Sequence, residues 1–280
     1  MAINVRNLAA RVGVAVVAIP VVLYAVTTGG WALATFAGVL TAVGAWEWAE
    51  LAGLRRMKAL YVLAILGPIL LLFAQVSAGP IMWTAGLAAL TPLALLAALT
   101  GPWKEQGGIR AVGATVSGVF YVGLFALMIP VGSGAGAVPS QDGGALLASA
   151  LVMVWLCDTL AYFGGSTFGR HKLAPSISPN KSWEGAISGL FGAALGGWIG
   201  FHVFSPAAMA LGEFLALGVL VGIFGQLGDL AESMIKRDAE VKDSSSILPG
   251  HGGVLDRFDS FLFAVVIMWV WLLARPLWYQ

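Results

Sequence analysis

The chain reads as an all-α, polytopic integral membrane protein of about nine transmembrane helices with a cytoplasmic N-terminus, and three observations carry that reading. Hydrophobic residues fill 59% of its 280 positions and charged residues only 10%. Mean hydropathy is +0.89. Apolar runs recur at the length that a bilayer demands of a helix, about 20 residues, with the charges gathered in the breaks between them. A soluble domain is excluded on the same grounds.

In order, the spans fall near 12–29, 31–53, 59–77, 81–100, 111–131, 146–167, 184–204, 213–233 and 258–276. Arg6 and Arg11 precede the first, which is a retained helix rather than a cleaved secretory signal because further spans follow it at once. The break between spans one and two, Thr27 to Gly30, is short and uncharged. Arg55, Arg56 and Lys58 follow span two, and Lys104 and Arg110 follow span four. Arg170, Lys172 and Lys181 follow span six, and Lys236, Arg237, Lys242 and Arg257 follow span eight. With nine spans all of these lie on one side, leaving Arg275 near the other. Cytoplasmic loops retain Lys and Arg, so that side is the cytoplasm. A net charge of +1 gives no case for nucleic-acid binding, and the single Cys157 excludes a disulfide framework and a cysteine-rich zinc site.

The chain divides by character into scaffold helices, 1–145, and a catalytic region, 146–280. In the first part Glu47 and Glu50 stand three apart at the inner end of span two, where an interfacial position requires no catalytic role. Residues 132–144 read as a flexible Gly/Ser linker outside; without strand context their GxGxxA match is no dinucleotide fingerprint. In the second part acids enter the spans: Asp158 in span six, Asp229 and Glu232 near the inner end of span eight. A charge at membrane depth costs about 2.5–3.5 kcal/mol on insertion scales, so such groups face a partner, an ion or an aqueous cavity. Small residues mark close packing in the same helices: Gly218, Gly222 and Gly225 lead to Asp229, and Ser188, Gly192, Gly196 and Gly200 step by four.

Three segments on the inner side converge on one expected pocket: Asp158 to Lys172, Ser178 to Gly185, and Asp229 to Asp259. The last alternates acids and bases, Lys236-Arg237, Lys242-Asp243, His251-Gly252-Gly253 and Asp256-Arg257-Phe258-Asp259, a mixture suited to a nucleoside triphosphate bound through metal. Carboxylates ligate Mg²⁺, the metal bridges phosphate oxygens, and Lys and Arg neutralise the remaining charge. Asp256 and Asp259 share one side of a first helical turn, where helix-dipole stabilisation accounts for one acid more easily than for the whole pattern. Gly252 and Gly253 allow close backbone approach near a phosphate, and His251 suits phosphate contact. Ser182 reads as the N-cap of span seven, with Lys181 beside free N–H groups. Gly164 to Arg170 imitates a P-loop but has Arg170-His171 where Lys and Ser/Thr are required. His171 reads as interfacial, and His202 as having no catalytic part.

The run Ser233-x-Ile235-Lys236-Arg237-x4-Lys242-Asp243-x-Ser245-x2-Leu248-Pro249-x-His251-Gly252-Gly253-Val254-x-Asp256-Arg257-Phe258-Asp259 resembles the signature of the phosphatidate cytidylyltransferase (CDP-diacylglycerol synthase) family. The resemblance extends through Asp158-Thr159-x-Ala161-Tyr162 and Ser178-Pro179-x-Lys181-Ser182-x-Glu184-Gly185, with Ser182 where many relatives carry Thr. It implies transfer of CMP from CTP to phosphatidate with Mg²⁺, on the cytoplasmic face of a bacterial inner membrane. It further implies Asp229 and Asp256 as metal ligands, with room for a second cation such as K⁺. On that reading Lys236, Arg237, Lys242 and Arg257 take phosphates, with Asp243, His251 and Asp259 completing the catalytic set. Lys172 and Lys181 are candidates for the lipid phosphate. Asp158, Ser178, Ser182, Glu184, Ser233, Gly252 and Gly253 complete the substrate site.

Two rivals remain at this stage. An enzyme acting on an isoprenoid phosphate or archaeal-type lipid would need the same headgroup chemistry. An ion-coupled transporter would place its acids at the midplane and repeat its halves, whereas these acids lie toward the inner face and no repeat is visible. The Gly-rich spans are compatible with a homodimer.

Overall fold

The computed structural model describes the backbone of residues 5–204 and 206–278, and the side chains of 13–276 apart from 106 and 205. The side chains of Arg6 and Arg11 lie outside the described residues. Long helices dominate: α1 (Val5–Thr28), α2 (Gly30–Leu51), α3 (Lys58–Ala78) and α4 (Pro80–Ala98). A short α5 (Trp103–Gln106) leads into α6 (Gly108–Gly123), which runs through a 3-10 turn into α7 (Met128–Gly132). Then come α8 (Ser140–Phe168), α9 (Trp183–Phe204), α10 (Leu211–Asp238) and α11 (Leu255–Trp278). Among the described residues eight helical stretches are long and apolar enough to cross a membrane; the described part of α1, Gly13–Thr28, is a shorter apolar run. The protein is an integral membrane protein.

The break at Thr27 to Gly30 is real, since Gly29 and Gly30 both take positive φ, 67° and 50°, which favours glycine. Several helices outrun their expected spans, two of them at the signature. Helix α10 continues to Asp238, so Lys236 and Arg237 ride on the helix, and α11 begins at Leu255, so Asp256 and Arg257 lie in its first turn. The segment 132–144 is not a flexible linker. It forms a 3-10 turn at Gly134–Gly136 and the buried start of α8, and a Cβ on Gly143 would stand 2.5 Å from Gly134 N and Val131 O. Gly132, Gly134, Gly143 and Gly144 serve close approach, and Gly136 a turn at positive φ.

Helix packing in the second half follows the small-residue stripes. A Cβ on Gly196 would stand 2.5 Å from Met153 Cα, and one on Gly218 would stand 2.6 Å from Ala193 O, so α9 meets α8 and α10 backbone to backbone. Replacing Gly196 by Ala is therefore expected to cost about 1–3 kcal/mol by overpacking, read as a lower melting temperature in detergent. One core runs through both halves; Phe125 and Phe258, for example, meet edge to face at 5.9 Å. At the end opposite the signature, Arg275 pairs with Glu213 at 2.8 Å and donates to Ala137 O at 3.2 Å. Asp142 accepts from Ala208 N at 2.7 Å. These contacts fasten α8, α10 and α11 to one another.

One element is not a helix. Between α8 and α9 the chain forms a small antiparallel hairpin, β1 (Lys172–Ala174) and β2 (Ser178–Ser182), with Lys172 opposite Ser182. It delivers Lys181 to the N-terminus of α9.

Candidate active site

Where α8, β2, α9 and α10 meet, a cavity of about 520 Å³ is walled by Asp158, Tyr162, Lys181, Ser182, Gln226 and Asp229 among others. Its polar groups are tied to one another and to the neighbouring helices. Lys181 Nζ stands 2.7 Å from Asp229 Oδ2, and Ser233, one turn along α10, donates to Asp229 Oδ1 at 3.3 Å. Gln226, one turn back, donates to Gly222 O at 2.9 Å and Ala186 O at 3.3 Å, tying α10 to α9. Ser182 caps α9, accepting from Gly185 N at 3.2 Å. Asp158, Asp229 and Asp259 lie close enough to feel one another's charge. A larger groove of about 850 Å³ between α4, α5 and α6 is mainly apolar, with Leu95, Leu99, Val112 and Val116 in its wall. It holds none of the signature residues, and its walls suit lipid chains rather than a nucleotide.

Beside the cavity, the loop between α10 and α11 is held by two carboxylates. Asp256 Oδ1 accepts from Lys236 Nζ at 2.6 Å. Its Oδ2 accepts from Ser244 N at 2.8 Å and Gly253 N at 2.7 Å, with Ser244 Oγ 2.9 Å away. Lys236 also faces Glu232 Oε1 at 3.2 Å. The second carboxylate is Glu47 of α2, fully buried. It accepts from Ser245 Oγ at 2.6 Å and from Val254 N and Leu255 N, each at 2.8 Å. Two of the loop's three glycines, Gly252 and Gly253, are explained by these acids. Gly252 has φ +81° and a Cβ there would stand 2.7 Å from Asp256 Oδ2, while a Cβ on Gly253 would strike Glu47 Oε1 and Ser244 Oγ. The close approach is to carboxylates, where the sequence suggested a phosphate.

The whole assembly sits in a region matched by one family model, described as the cytidylyltransferase family, over residues 9–274. The chain belongs to the cytidylyltransferase family. Among its relatives, a phosphatidate cytidylyltransferase of Pseudomonas aeruginosa is 36% identical over 270 residues, covering 88% of this chain and 92% of the relative. One of Staphylococcus aureus strain COL is 34% identical over 256 residues, covering 91% and 95%. One of Haemophilus influenzae is 47% identical over 123 residues, 43% of each chain. This cytidylyltransferase is a membrane-embedded nucleotidyltransferase.

The cytidylyltransferase fold brings Asp158, Lys181, Ser182 and Asp229 to one cavity, with Ser233 behind Asp229. Lys236, Gly252, Gly253 and Asp256 form the adjoining network. The remaining expected residues line neither. Glu184 is held by His171, whose Nδ1 stands 2.6 Å from Glu184 Oε1, so a histidine expected merely at the interface pins the hairpin to α9. Arg237 donates to Val241 O at 2.9 Å and Arg257 to His251 O at 2.6 Å, both bracing the loop from exposed positions. Asp259 accepts from Ser260 N at 2.6 Å. Lys172, Lys242 and Asp243 are exposed at the same end, and Ser178 and His251 are partly buried there.

Sequence reasoning missed Gln226, Ser244 and above all Glu47. An acid near a helix end carries no local sign that its partners lie some 200 residues ahead. Among the described residues no three Asp, Glu, His or Cys side chains converge as a ready metal site. Magnesium takes one or two carboxylates and completes its shell with substrate phosphates and water, so the residues that could hold it are single acids. Asp229 lines the cavity and could hold the ion by releasing the Lys181 ammonium. Asp256 has both oxygens engaged and would have to release Lys236 or the loop donors to join it.

Proposed function

We propose that the chain is a phosphatidate cytidylyltransferase, transferring CMP from CTP to the phosphate of phosphatidate on the cytoplasmic face of a bacterial inner membrane. The observation that carries this reading is the Lys181–Asp229 pair, a cation and an anion 2.7 Å apart in the wall of a 520 Å³ cavity beside the signature loop. The names of the full-length relatives supply the substrate class.

The chemistry asks for no protein nucleophile. A phosphate oxygen of the lipid attacks the α-phosphorus of CTP, the new P–O bond forms, the bond to the bridging β-phosphate oxygen breaks, and diphosphate leaves with its electron pair. Two polyanions must meet, so positioning and charge neutralisation dominate. Mg²⁺ held at Asp229 would supply charge neutralisation on the nucleotide phosphates. Lys181 turns from Asp229 to a phosphate oxygen, and its place on β2, rigidly paired to β1, fixes its reach. Asp158 keeps the cavity polar on the α8 side. Acyl chains stay in lipid; extracting them would cost about 0.8 kcal/mol per exposed CH₂.

The test is lipid-linked CMP formation by purified protein in detergent with labelled CTP, phosphatidate and Mg²⁺. The expected product is CDP-diacylglycerol, formed at least tenfold faster than with an isoprenoid phosphate. No product from phosphatidate, or a preference for the isoprenoid, would overturn the proposal.

A further inference from the structure

We propose that Glu47, on the second helix of the scaffold half, is a positioning residue for nucleotidyl transfer. It caps α11 from outside that helix and fixes the loop carrying Ser244, Gly253 and Asp256. The first N–H groups of a helix lack partners within it and carry partial positive charge. Here the amides of Val254 and Leu255, where α11 begins, both point at one carboxylate delivered by α2. Ser245 adds a third donor at 2.6 Å. Ser244 Oγ stands between the two acids, 3.2 Å from Glu47 Oε2 and 2.9 Å from Asp256 Oδ2. The result is a continuous polar chain, Glu47–Ser244–Asp256–Lys236–Glu232, running from α2 through the loop and α11 to α10.

Helix α2 is itself held fast. Trp48 donates its indole N–H to Ala114 O on α6 at 2.9 Å, and its ring fills the space that a side chain on Gly118 would occupy. One turn before Glu47, Gly44 lets Leu255 Cδ2 approach to 3.0 Å of its would-be Cβ. The carboxylate therefore reaches the loop from a rigid base, as a supporting group must if it is to fix another residue's geometry. A buried carboxylate without donors would be costly to the fold, and this one has donors on both oxygens. A second consequence follows for phosphate binding. With Gly253 N given to Asp256 and the next two amides to Glu47, the start of α11 holds protein carboxylates rather than substrate, and the phosphates are left to Lys181 and the other basic side chains.

The catalytic consequence rests on the cytidylyltransferase reading; the cap does not. The test joins two measurements on Glu47→Gln, with Glu50→Gln as control because, among the described residues, the Glu50 carboxylate pairs with Arg55 and Tyr61 and not with the loop. Hydrogen exchange followed by mass spectrometry is expected to show faster exchange confined to peptides covering 244–258. The transfer assay is expected to show kcat/KM for CTP lowered about tenfold to a hundredfold, as small misplacements do. The control should match wild type in both. Ser245→Ala, which removes a single donor, is expected to move both readouts in the same direction by less. Unchanged exchange in 244–258 would overturn the cap. Exchange that rises uniformly, or local loosening with wild-type kcat/KM, would overturn the positioning role. If wild type itself transfers no CMP, the function proposed above fails while the exchange result still decides the cap.

Discussion

Replacing Asp229 by asparagine is expected to lower CMP transfer by about 10³-fold, the upper end of what removal of one preorganised electrostatic group costs, without lowering stability. Asparagine keeps the volume and, with its amide oxygen turned to Lys181 and its NH2 donating to Ser233 Oγ, keeps both contacts and removes only the charge. Stability separates function from structure here. Asp229 lies on a membrane helix near Asp158 and Asp259, whose like charges repel its own. Removing it relieves that repulsion, and the Lys181 ammonium, itself shielded from solvent, keeps the amide oxygen as an acceptor. Initial rates and detergent melting curves measured together decide the point. A variant that melts clearly lower while transferring within tenfold of wild type would make the pair a structural strut.

How much of this was legible in the sequence depends on the length scale of the physics. A bilayer requires long apolar runs, so the spans could be read directly, and charge at membrane depth is costly, so Asp158 and Asp229 stood out without any structure. The spacing in Ser233–Asp259 was specific enough to name the family. Glycine composition was ambiguous, because it reports either flexibility or close approach, and only packing separates the two. Residues 132–144 therefore read as a linker although Gly143 lies against backbone, and Gly252 and Gly253 read as phosphate contacts although Asp256 and Glu47 fill that space. The hairpin at 172–182 was hidden because Pro175, Pro179 and a charged β2 do not alternate as a half-buried strand does. Glu47 was hidden for the reason that makes it informative, since its four polar partners are all supplied by residues 244–255.

Lys236 offers the largest expected effect on stability. It is buried in α10 between Glu232 Oε1 at 3.2 Å and Asp256 Oδ1 at 2.6 Å, with those side chains only 1% and 4% exposed. Lys236→Met preserves most of the side-chain length but leaves two buried carboxylates facing each other without a cation. Loss of one partner from such a buried cluster costs about 3–5 kcal/mol, so the variant is expected to melt far below wild type. Adding Glu232→Gln removes one stranded charge. Asp256 retains the Ser244 and Gly253 amides, and the double variant is expected to regain most of the lost stability, giving a coupling energy above about 1 kcal/mol in a double-mutant cycle. The same pair of variants settles what Lys236 does. Its ammonium is enclosed by two acids, whereas Lys181 stands in the cavity wall, so transfer by the double variant is expected to return to within about tenfold of wild type. If stability returns and transfer does not, Lys236 touches phosphate, as the signature alone suggested, and the polar chain from Glu47 ends on a substrate ligand rather than on a neutralising cation.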